Sequence, residues 1–551
     1  MTHGDAFLQA ILAEPDDDAP RLIYADWLEE RGDPRGAFIR LQCALERLGP
    51  TDSRRADLED EAGALLHQQG EEWTAPLQEI ASDWRFRRGF VAEATVTGDE
   101  FLARGDDLFN AFPIIRLRIR LKRGQASEVA RSPHLARLRT LDVNSCQLRD
   151  GGVHELLASP HLRRLTGLGL AGNDLEGPAV RALLESPLMG RLICLNLSDN
   201  GSLGVSAARA LAQSPAAAAL RTLDLSYTNI GTAGLRDLLA STFITGLTSL
   251  SVAHIGLHGI TDAVLAELIG APVLSRLTTL DLGGFRHGGL TELLRSPALS
   301  RLTSLSLVGN NLGRGSVRFL AESPHLSGLT TLNLTGNQAG PEGLQLLAAS
   351  PHMAGLTVLR LGANGVRDAG ARALAASPYV TRLMELDLGK NGIGGPGIRA
   401  LAESPNVARL TTLDLSENYV GLESVRVLAA SPNLSRLTCL RLKSNQLDGE
   451  AARLLSASPY LSRLSILNLD DNDLSDGGLW ALLSSTRLTR LAELSVRNNG
   501  IGACGAESLA ALLAGAPRFA RLRKLDLREN PLGDAERQLL RKQFGTRIEL
   551  G

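Results

Sequence analysis

The sequence predicts an α/β solenoid, a chain of stacked strand-and-helix coils, and three observations predict it. One pattern of residues recurs along most of the chain. Within each copy a period of two gives way to a helical period. Large rings are scarce, with aromatic residues at 4% of the total, as suits thin coils filled by Leu, Ala and Val rather than a thick globular centre. The clearest copy runs from Leu410 to Ala430, LTTLDLSENYVGLESVRVLAA, and is closed by Ser431 and Pro432. Leu413 and Leu415 alternate with Asp414 and Ser416, the pattern of a strand with one buried face. Val425, Leu428 and Ala429 then recur at helical spacing.

Counted from its first Leu, the pattern starts at Leu138, Leu165, Leu192, Leu220, Leu247, Leu277, Leu302, Leu329, Leu356, Leu383, Leu410, Leu437, Leu464, Leu491 and Leu522. Ten of these fourteen spacings are 27 residues. A single coil cannot cover its own apolar side, so each row of leucines is buried only by stacking the next coil. A fully buried Leu contributes roughly 1.5–3 kcal/mol. The wording L-x-x-L-x-L-x-x-N resembles a leucine-rich repeat. The resemblance is to the ribonuclease-inhibitor type and covers about three-quarters of the chain. It implies a horseshoe, with parallel strands on the concave side and helices on the convex side.

Residues 1–80 differ and read as a helical cap. Asp18 with Pro20, and Asp33 with Pro34, are helix-start signals. Between them RLIYADWLEE can bury Leu22, Ile23, Tyr24, Trp27 and Leu28 on one face. A third helix carries Phe38, Ile39, Leu41 and Leu45; Leu58, Leu65, Leu66 and Trp73 suggest one or two more. The run Arg21-Leu22-Ile23-Tyr24-Ala25-Asp26-Trp27-Leu28-Glu29-Glu30, with Gly32-Asp33 and Phe38-Ile39-Arg40-Leu41-Gln42, resembles a small bacterial family, the repeat-companion domain. That family sits at the N-terminus of repeat proteins.

From about residue 84 a strand (Phe90 to Val96), a helix (Asp99 to Phe112) and a second strand (Ile114 to Leu121) are expected. The second strand alternates Ile115, Leu117, Ile119 and Leu121 with Arg116, Arg118, Arg120 and Lys122. It reads as an end strand kept soluble by charge; the alternative is a surface for an anionic partner. Three regions result: a companion domain with linking helices over 1–80, a strand–helix–strand cap over 84–123, and about fifteen coils with a closing cap over 124–551.

Inside the array, a Pro precedes the first Leu by five residues in thirteen coils, usually as Ser-Pro. It lacks an N–H and disfavours helix in the residue before it, so each helix stops in register. Thr242 and Thr486 stand at the two exceptions. The ninth position is Asn in eleven coils: Asn173, Asn200, Asn310, Asn337, Asn364, Asn391, Asn418, Asn445, Asn472, Asn499 and Asn530. The resemblance implies that these amides form a structural ladder between coils, with Cys146 a tolerated substitute. Thr228, Ile255 and Phe285 interrupt it in three consecutive coils, where the spacings of 30 and 25 residues also fall. Irregularity is expected between Leu220 and Leu302, with a longer loop between about His254 and Asp262. ESLAALLAGAPRFARL predicts a longer helix before the last coil, and the chain after Leu532 reads as a closing helix and strand.

The sequence also bounds the chemistry. A formal charge of −2 argues against general nucleic-acid binding, which needs a basic surface. Five cysteines without C-x-x-C spacing suggest neither a disulfide framework nor zinc. The N-terminal stretch does not resemble a secretory signal, and no apolar run approaches the roughly 18 residues of a membrane span. A reducing, cytoplasmic setting without membrane contact follows as the expectation. No Ser/His/Asp set or phosphate-binding loop is visible, so no enzyme activity, cofactor or metal is expected. Three groups of residues admit a second reading. Asp16, Asp17, Asp18 and Asp26 read either as a metal-binding group or as helix-dipole complements. His134, His161, His325 and His352 are copies of one repeat position; stacking would bring His134 near His161 and His325 near His352, a poor zinc site without carboxylates. His254, His258 and His287 cluster in the irregular segment, as a pH-sensitive or metal contact or as irregular repeat residues. Asp142, Asp224, Asp281, Asp387, Asp414 and Asp526 recur between the strand leucines, as paired acids or as the repeat's own consensus.

The resemblance implies a non-catalytic scaffold for a protein partner; the second reading is a regulator, acting in trans, of a nucleotide-hydrolysing or other enzyme. The fifth, seventh and eighth positions should project from the inner sheet. From Leu138 to Ala363 only five of these 27 positions are charged. From Leu383 onward twelve of 18 are: Asp387, Lys390, Asp414, Glu417, Arg441, Lys443, Asp470, Asp471, Arg497, Asp526, Arg528 and Glu529. These twelve are the candidate partner-binding residues.

Overall fold

Two leucines per coil set the architecture. In the coil from Leu410, Leu413 and Leu415 are buried while Thr412, Asp414 and Ser416 between them stay partly exposed. That alternation recurs coil after coil, so the strands stack with one face inward. The computed structural model describes residues 3–49, 52, 54–256, 262–285, 290–506 and 522–550. The chain folds as two compact units, Met1–His258 and Gly259–Gly551.

The first unit opens with four helices, α1 (His3–Ala13), α2 (Ala19–Glu29), α3 (Arg35–Arg47) and α4 (Arg55–Thr74). Helix α2 begins with Pro20 in its first turn, and the Asp17 carboxylate accepts the Ala19 N–H at 2.9 Å. A hairpin follows, β1 (Asp83–Arg87) antiparallel to β2 (Phe90–Thr97), then α5 (Gly98–Ala111) and β3 (Arg116–Arg120). Thr97 and Glu100 form a capping box at the start of α5. The helices seat on the hairpin through two apolar clusters, one around Ile11, Leu28, Ile39 and Phe90, the other around Phe38, Leu45 and Trp73.

Strand β3 is not an end strand. It pairs in parallel with β2 on one side and with β4 (Thr140–Asp142) on the other. Strand β1 was missed in the sequence, where only two apolar residues, Trp84 and Phe86, alternate with Asp83, Arg85 and Arg87; Arg88 and Gly89, at φ 52° and 82°, turn the chain back onto β2. The cations of β3 therefore lie on a sheet face, where Arg116 pairs with Glu93 at 3.2 Å and Arg118 with Asp142 at 2.8 Å. Beyond β4 the parallel series continues through β5 (Gly167–Gly169), β6 (Cys194–Asn196), β7 (Thr222–Asp224) and β8 (Ser249–Ser251).

The second unit repeats the scheme with β9 (Thr279–Asp281), β10 (Ser304–Ser306), β11 (Thr331–Asn333), β12 (Val358–Arg360), β13 (Glu385–Asp387) and β14 (Thr412–Asp414). It continues with β15 (Cys439–Arg441), β16 (Ile466–Asn468), β17 (Glu493–Ser495), β18 (Lys524–Asp526) and β19 (Ile548–Glu549). All pair in parallel with their neighbours in sequence order. Most coils carry a helix of nine or ten residues between strands, such as Gly395–Glu403 and Gly421–Ala429. The helix Asp534–Phe544 precedes β19 at the end of the sheet. The long helix expected from ESLAALLAGAPRFARL, and the longer loop expected after His254, lie outside the described residues.

Three ladders tie coil to coil. Asn391 shows the first: its Nδ2 donates to the Leu361 and Gly389 carbonyls at 2.9 Å, and its Oδ1 accepts the Asn364 and Val366 N–H groups at 3.0 and 3.1 Å. The second uses the Ser of Ser-Pro. Ser404, Ser431 and Ser458 each donate to a carbonyl at the end of the preceding coil's helix, at 2.5 Å. Pro stops the helix, and Ser bonds the carbonyl that the neighbouring helix leaves unpaired at its end. The third joins hydroxyls at the second position to the preceding coil, as in Thr330 to Thr303 and Thr357 to Thr330 at 3.1 Å.

The first two ladders fail in the same region. Thr228 donates only to its own coil's Leu225 carbonyl, and Ile255 and Phe285 fill the Asn slot with apolar bulk at 0% and 1% exposure. Ser323 follows the short helix Leu290–Leu294 by one coil, and its buried Oγ has no partner among the described residues.

Candidate functional site

On the inner face the odd strand positions point outward while the fourth and sixth form the core. Strand spacing sets neighbouring side chains about 4.8 Å apart. The acids at the fifth position have a local task. Asp142, Asp224, Asp387, Asp414 and Asp526 each accept the N–H two residues on, at 2.8 to 3.0 Å, and so close the strand end. Asp281 does the same for Gly283 at 3.1 Å. Asn196, Asn333 and Asn468 make the same bond. The recurrence of Asp is thus a turn device, and it leaves each carboxylate one oxygen for other contacts.

Most of the twelve candidate residues lie in ion pairs or bonded turns. Lys390 faces Glu417 at 3.8 Å, Lys443 faces Asp471 at 3.1 Å, and Arg497 pairs with Glu529. Arg528 holds Asp526 at 2.5 Å and Glu549 at 3.0 Å. Asp470 accepts the Ser495 hydroxyl and the Arg497 N–H at 2.5 and 2.9 Å. Asp387, Asp414 and Arg441 stand in register on β13, β14 and β15. The register suggests an Asp414–Arg441 pair, yet among the described residues none of the three enters an ion pair within 4 Å.

Burial and pairing shift the acids in opposite directions. Burial pushes the Asp387 carboxyl up against the bond from the Gly389 N–H, and the charge of Asp414 adds to the rise. The Asn498 amide and the Lys443 ammonium hold Asp471 below the usual carboxylate range. Burial would raise Asp526, but its bonds to Arg528 win and its carboxyl lies low.

The third position shares this face and was missed in the sequence, although simple alternation extends to it. Glu385 binds Arg360 at 2.7 Å and Lys524 binds Glu549 at 3.0 Å. Between them Thr412, Cys439 and Ile466 are the smaller or apolar members of that row.

The other candidate groups have structural partners. Asp16 meets Arg139 at 3.3 Å and Arg88 at 3.9 Å, Asp18 meets Arg47 at 2.8 Å and Arg88 at 3.2 Å, and Asp26 pairs with Arg40. The acidic run thus links the α1–α2 turn to the hairpin and to the first coil. Arg21, buried at 1% exposure, and Arg35 lie 5.4 and 4.7 Å from the Phe90 ring centre. Burial pulls the Arg21 guanidinium down to about 10. His134 stacks on Phe109 at 4.9 Å and bonds Asp106 at 3.1 Å, so it docks α5 rather than forming a ligand pair. His254 stacks on Tyr227 at 4.6 Å; His258 and His287 lie outside the described residues. Among the described residues no group of three or more His, Cys, Asp or Glu is placed to hold a metal, and no helix is long and apolar enough to cross a membrane.

Comparison with known proteins adds a family-level finding. No curated protein matches the chain. Among solved structures it is similar to an internalin from Listeria monocytogenes, at 19% identity over 76% of this chain and 88% of that one, with a TM-score of 0.33. The model of the leucine-rich repeat family matches residues 134–157, 219–239, 325–348, 354–375 and 381–402. Repeated sequence, parallel sheet and these five matches agree: the chain carries leucine-rich repeats in a solenoid.

Proposed function

We propose that this chain is a non-catalytic protein-binding scaffold that grips a partner on the inner face of its repeats, chiefly in the C-terminal half. The supporting observation is the charge asymmetry: twelve of 18 projecting positions from Leu383 onward, against five of 27 before it. Solubility does not account for it, because both stretches meet the same solvent. The lateral ion pairs hold long side chains in fixed poses, which lowers the entropy lost when a partner docks. Seven acids against five bases nearly cancel, so the gain is orientation and specificity more than long-range attraction. Asp387, Asp414 and Arg441 form the row best placed to bond a partner.

In this reading the array is of the ribonuclease-inhibitor type, and the companion-like helices serve as cap or second contact. Five free cysteines, three of them buried, suit a reducing cytoplasm. The test reverses Arg441→Glu and Lys443→Glu together and measures partner capture and melting. Lost capture with an intact fold supports the patch. Unchanged capture in that variant and in an Asp470→Lys/Asp471→Lys variant moves the site elsewhere. The partner is found by co-purification with and without residues 1–80; a nucleotide-binding protein in the eluate favours the in-trans regulator.

A further inference from the structure

The described coils of the first unit carry a different feature on the rim of the inner face. At the eighth position of successive coils stand Asp199, Tyr227 and His254. The Asp199 N–H bonds the Ser226 carbonyl and the Tyr227 N–H bonds the Ala253 carbonyl, both at 2.8 Å, so the three residues lie in register. The rings of Tyr227 and His254 stack at 4.6 Å with 20° between their planes. His254 covers one face of Tyr227, yet the residue remains 52% exposed. Because the coils follow in the order Asp199, Tyr227, His254, the uncovered face lies on the side of the Asp199 coil. Asp199 leans away from it, with Oδ2 at 3.3 Å from where a Cβ on Gly172 would stand. A slot is left between a carboxylate and an aromatic face.

The surrounding charges decide what fits the slot. Asp224, three residues before Tyr227, has one oxygen committed to the Ser226 N–H at 2.9 Å, and among the described residues no side chain bonds the other. Elsewhere on the inner faces most acids have a cation from this chain: Asp142 has Arg118, Glu385 has Arg360, Asp471 has Lys443 and Glu529 has Arg497. Among the described residues Asp199 and Asp224 have none within 4 Å. Two carboxylates without a cation among the described residues therefore stand in the same coil as the exposed stacked ring and in the coil before it.

We propose that Tyr227, with Asp199 and Asp224, receives an arginine side chain from a partner protein. A guanidinium is planar, stays charged, and combines stacking on a ring with bonds to a carboxylate. Lysine offers the charge without the plane, and an apolar side chain leaves both acids unanswered. His254 holds the Tyr227 ring upright, so the slot exists before the arginine enters. This surface is separate from the charged rows beyond Leu383 and does not depend on them.

The probe is a short peptide of alternating arginine and glycine, with a counterpart in which citrulline replaces each arginine. Both are titrated into the full chain at low salt, with binding followed by calorimetry and by the peptide's proton spectrum. The arginine peptide binds and the citrulline peptide does not. The arginine side-chain protons shift upfield, because they enter the ring current of Tyr227. Tyr227→Phe keeps the shift. Tyr227→Ala removes it and weakens binding by about two- to fivefold, the range for one exposed cation–ring contact. Asp199→Asn with Asp224→Asn weakens binding at least as much. A Glu155→Gln/Glu185→Gln variant, which removes two exposed acids from the helices Arg149–Leu157 and Gly177–Glu185, binds as the parent does. The proposal is overturned by equal binding of the citrulline peptide, by arginine binding without the upfield shift, by an unchanged Tyr227→Ala variant, or by loss of binding in the Glu155/Glu185 variant.

Discussion

Replacing Asn391 with Ala tests what the amide ladder does. Its Oδ1 accepts the N–H groups of Asn364 and Val366, both in residues buried at 1% or less. Its Nδ2 donates to the carbonyls of Leu361 and Gly389, but those acceptors have other donors: the Asn364 amide at 3.0 Å and the Ala363 N–H at 2.8 Å. The ladder is therefore redundant for carbonyls and single for amides. Removing the side chain orphans two buried donors, each at about 1–3 kcal/mol, for a loss of roughly 2–6 kcal/mol. The chain holds two compact units, and long repeat arrays depart from all-or-none unfolding, so a global melting point is a poor measure. Hydrogen exchange at Asn364 and Val366 reads the effect directly, with urea unfolding of the second unit as the overall measure. Asn391→Cys should recover part of the loss, because the Cys146 sulfur already accepts the Leu121 N–H at 3.3 Å in the first coil. A loss below about 1 kcal/mol, or a cysteine variant no better than alanine, would refute the assignment of the energy to the two amides.

Other consequences follow from the same geometry. The coils holding Thr228, Ile255 and Phe285 lack the side-chain bonds that Asn makes to the preceding coil, so their described amides should exchange faster than those of coils starting at Leu329 to Leu464; uniform protection sinks this. Deleting residues 1–112 strips β2 from β3 and uncovers an edge of five residues, Arg116–Arg120. Aggregation or unfolding of the first coils is expected, while a monomeric product with unchanged melting would show the helices and hairpin to be an independent module. Burial pushes the Cys43 thiol up to about 11 and also raises Cys146 and Cys439, whereas Cys194 and Cys504 are exposed. Alkylation of the native protein read by mass spectrometry should therefore mark Cys194 and Cys504 first; early labelling of Cys43 contradicts the packing around it.

The repeat was legible because every coil states it again, and errors in one copy are corrected by the next. Leucine alternation located the strands, and Pro located the helix ends. What went unread involved residues whose pattern is common to many contexts. Ser before Pro looks like a turn residue, and only the stacked coil shows the carbonyl it bonds. Strand β1 alternates but offers only Trp84 and Phe86 as apolar residues, too short a signal to place it, and β3 lies inside the sheet because it pairs with β2 and β4. The charged half of the inner face was visible as a list of residues. Its pairing was not, because Lys443 reaches Asp471 at the eighth position of the next coil rather than the fifth. The Tyr227–His254 stack was missed because the two residues are 27 apart and neither belongs to the repeat's consensus.

The eighth position sets a limit on how such a surface changes over generations. In all fifteen coils its residue has a positive φ, from Asn498 at 50° to Gly284 at 77°. Val, Ile and Thr resist that conformation, and none of them stands there. The rim is thus written in a reduced alphabet of Gly, Ala, Ser, Asn, Asp, Glu, Lys, Tyr and His. The third position, in ordinary strand geometry, admits Val, Ile, Thr and Cys beside Ser, Gly, Glu and Lys, whereas the fifth, which closes the strand end, is held to Asp, Asn, Ser, Gly and Arg. Drift or selection for a new partner can therefore bring β-branched and apolar residues into the third row, while the fifth and eighth rows move within their own short lists. A library built to redirect binding would gain most by varying the third row and holding the fifth and eighth to those lists.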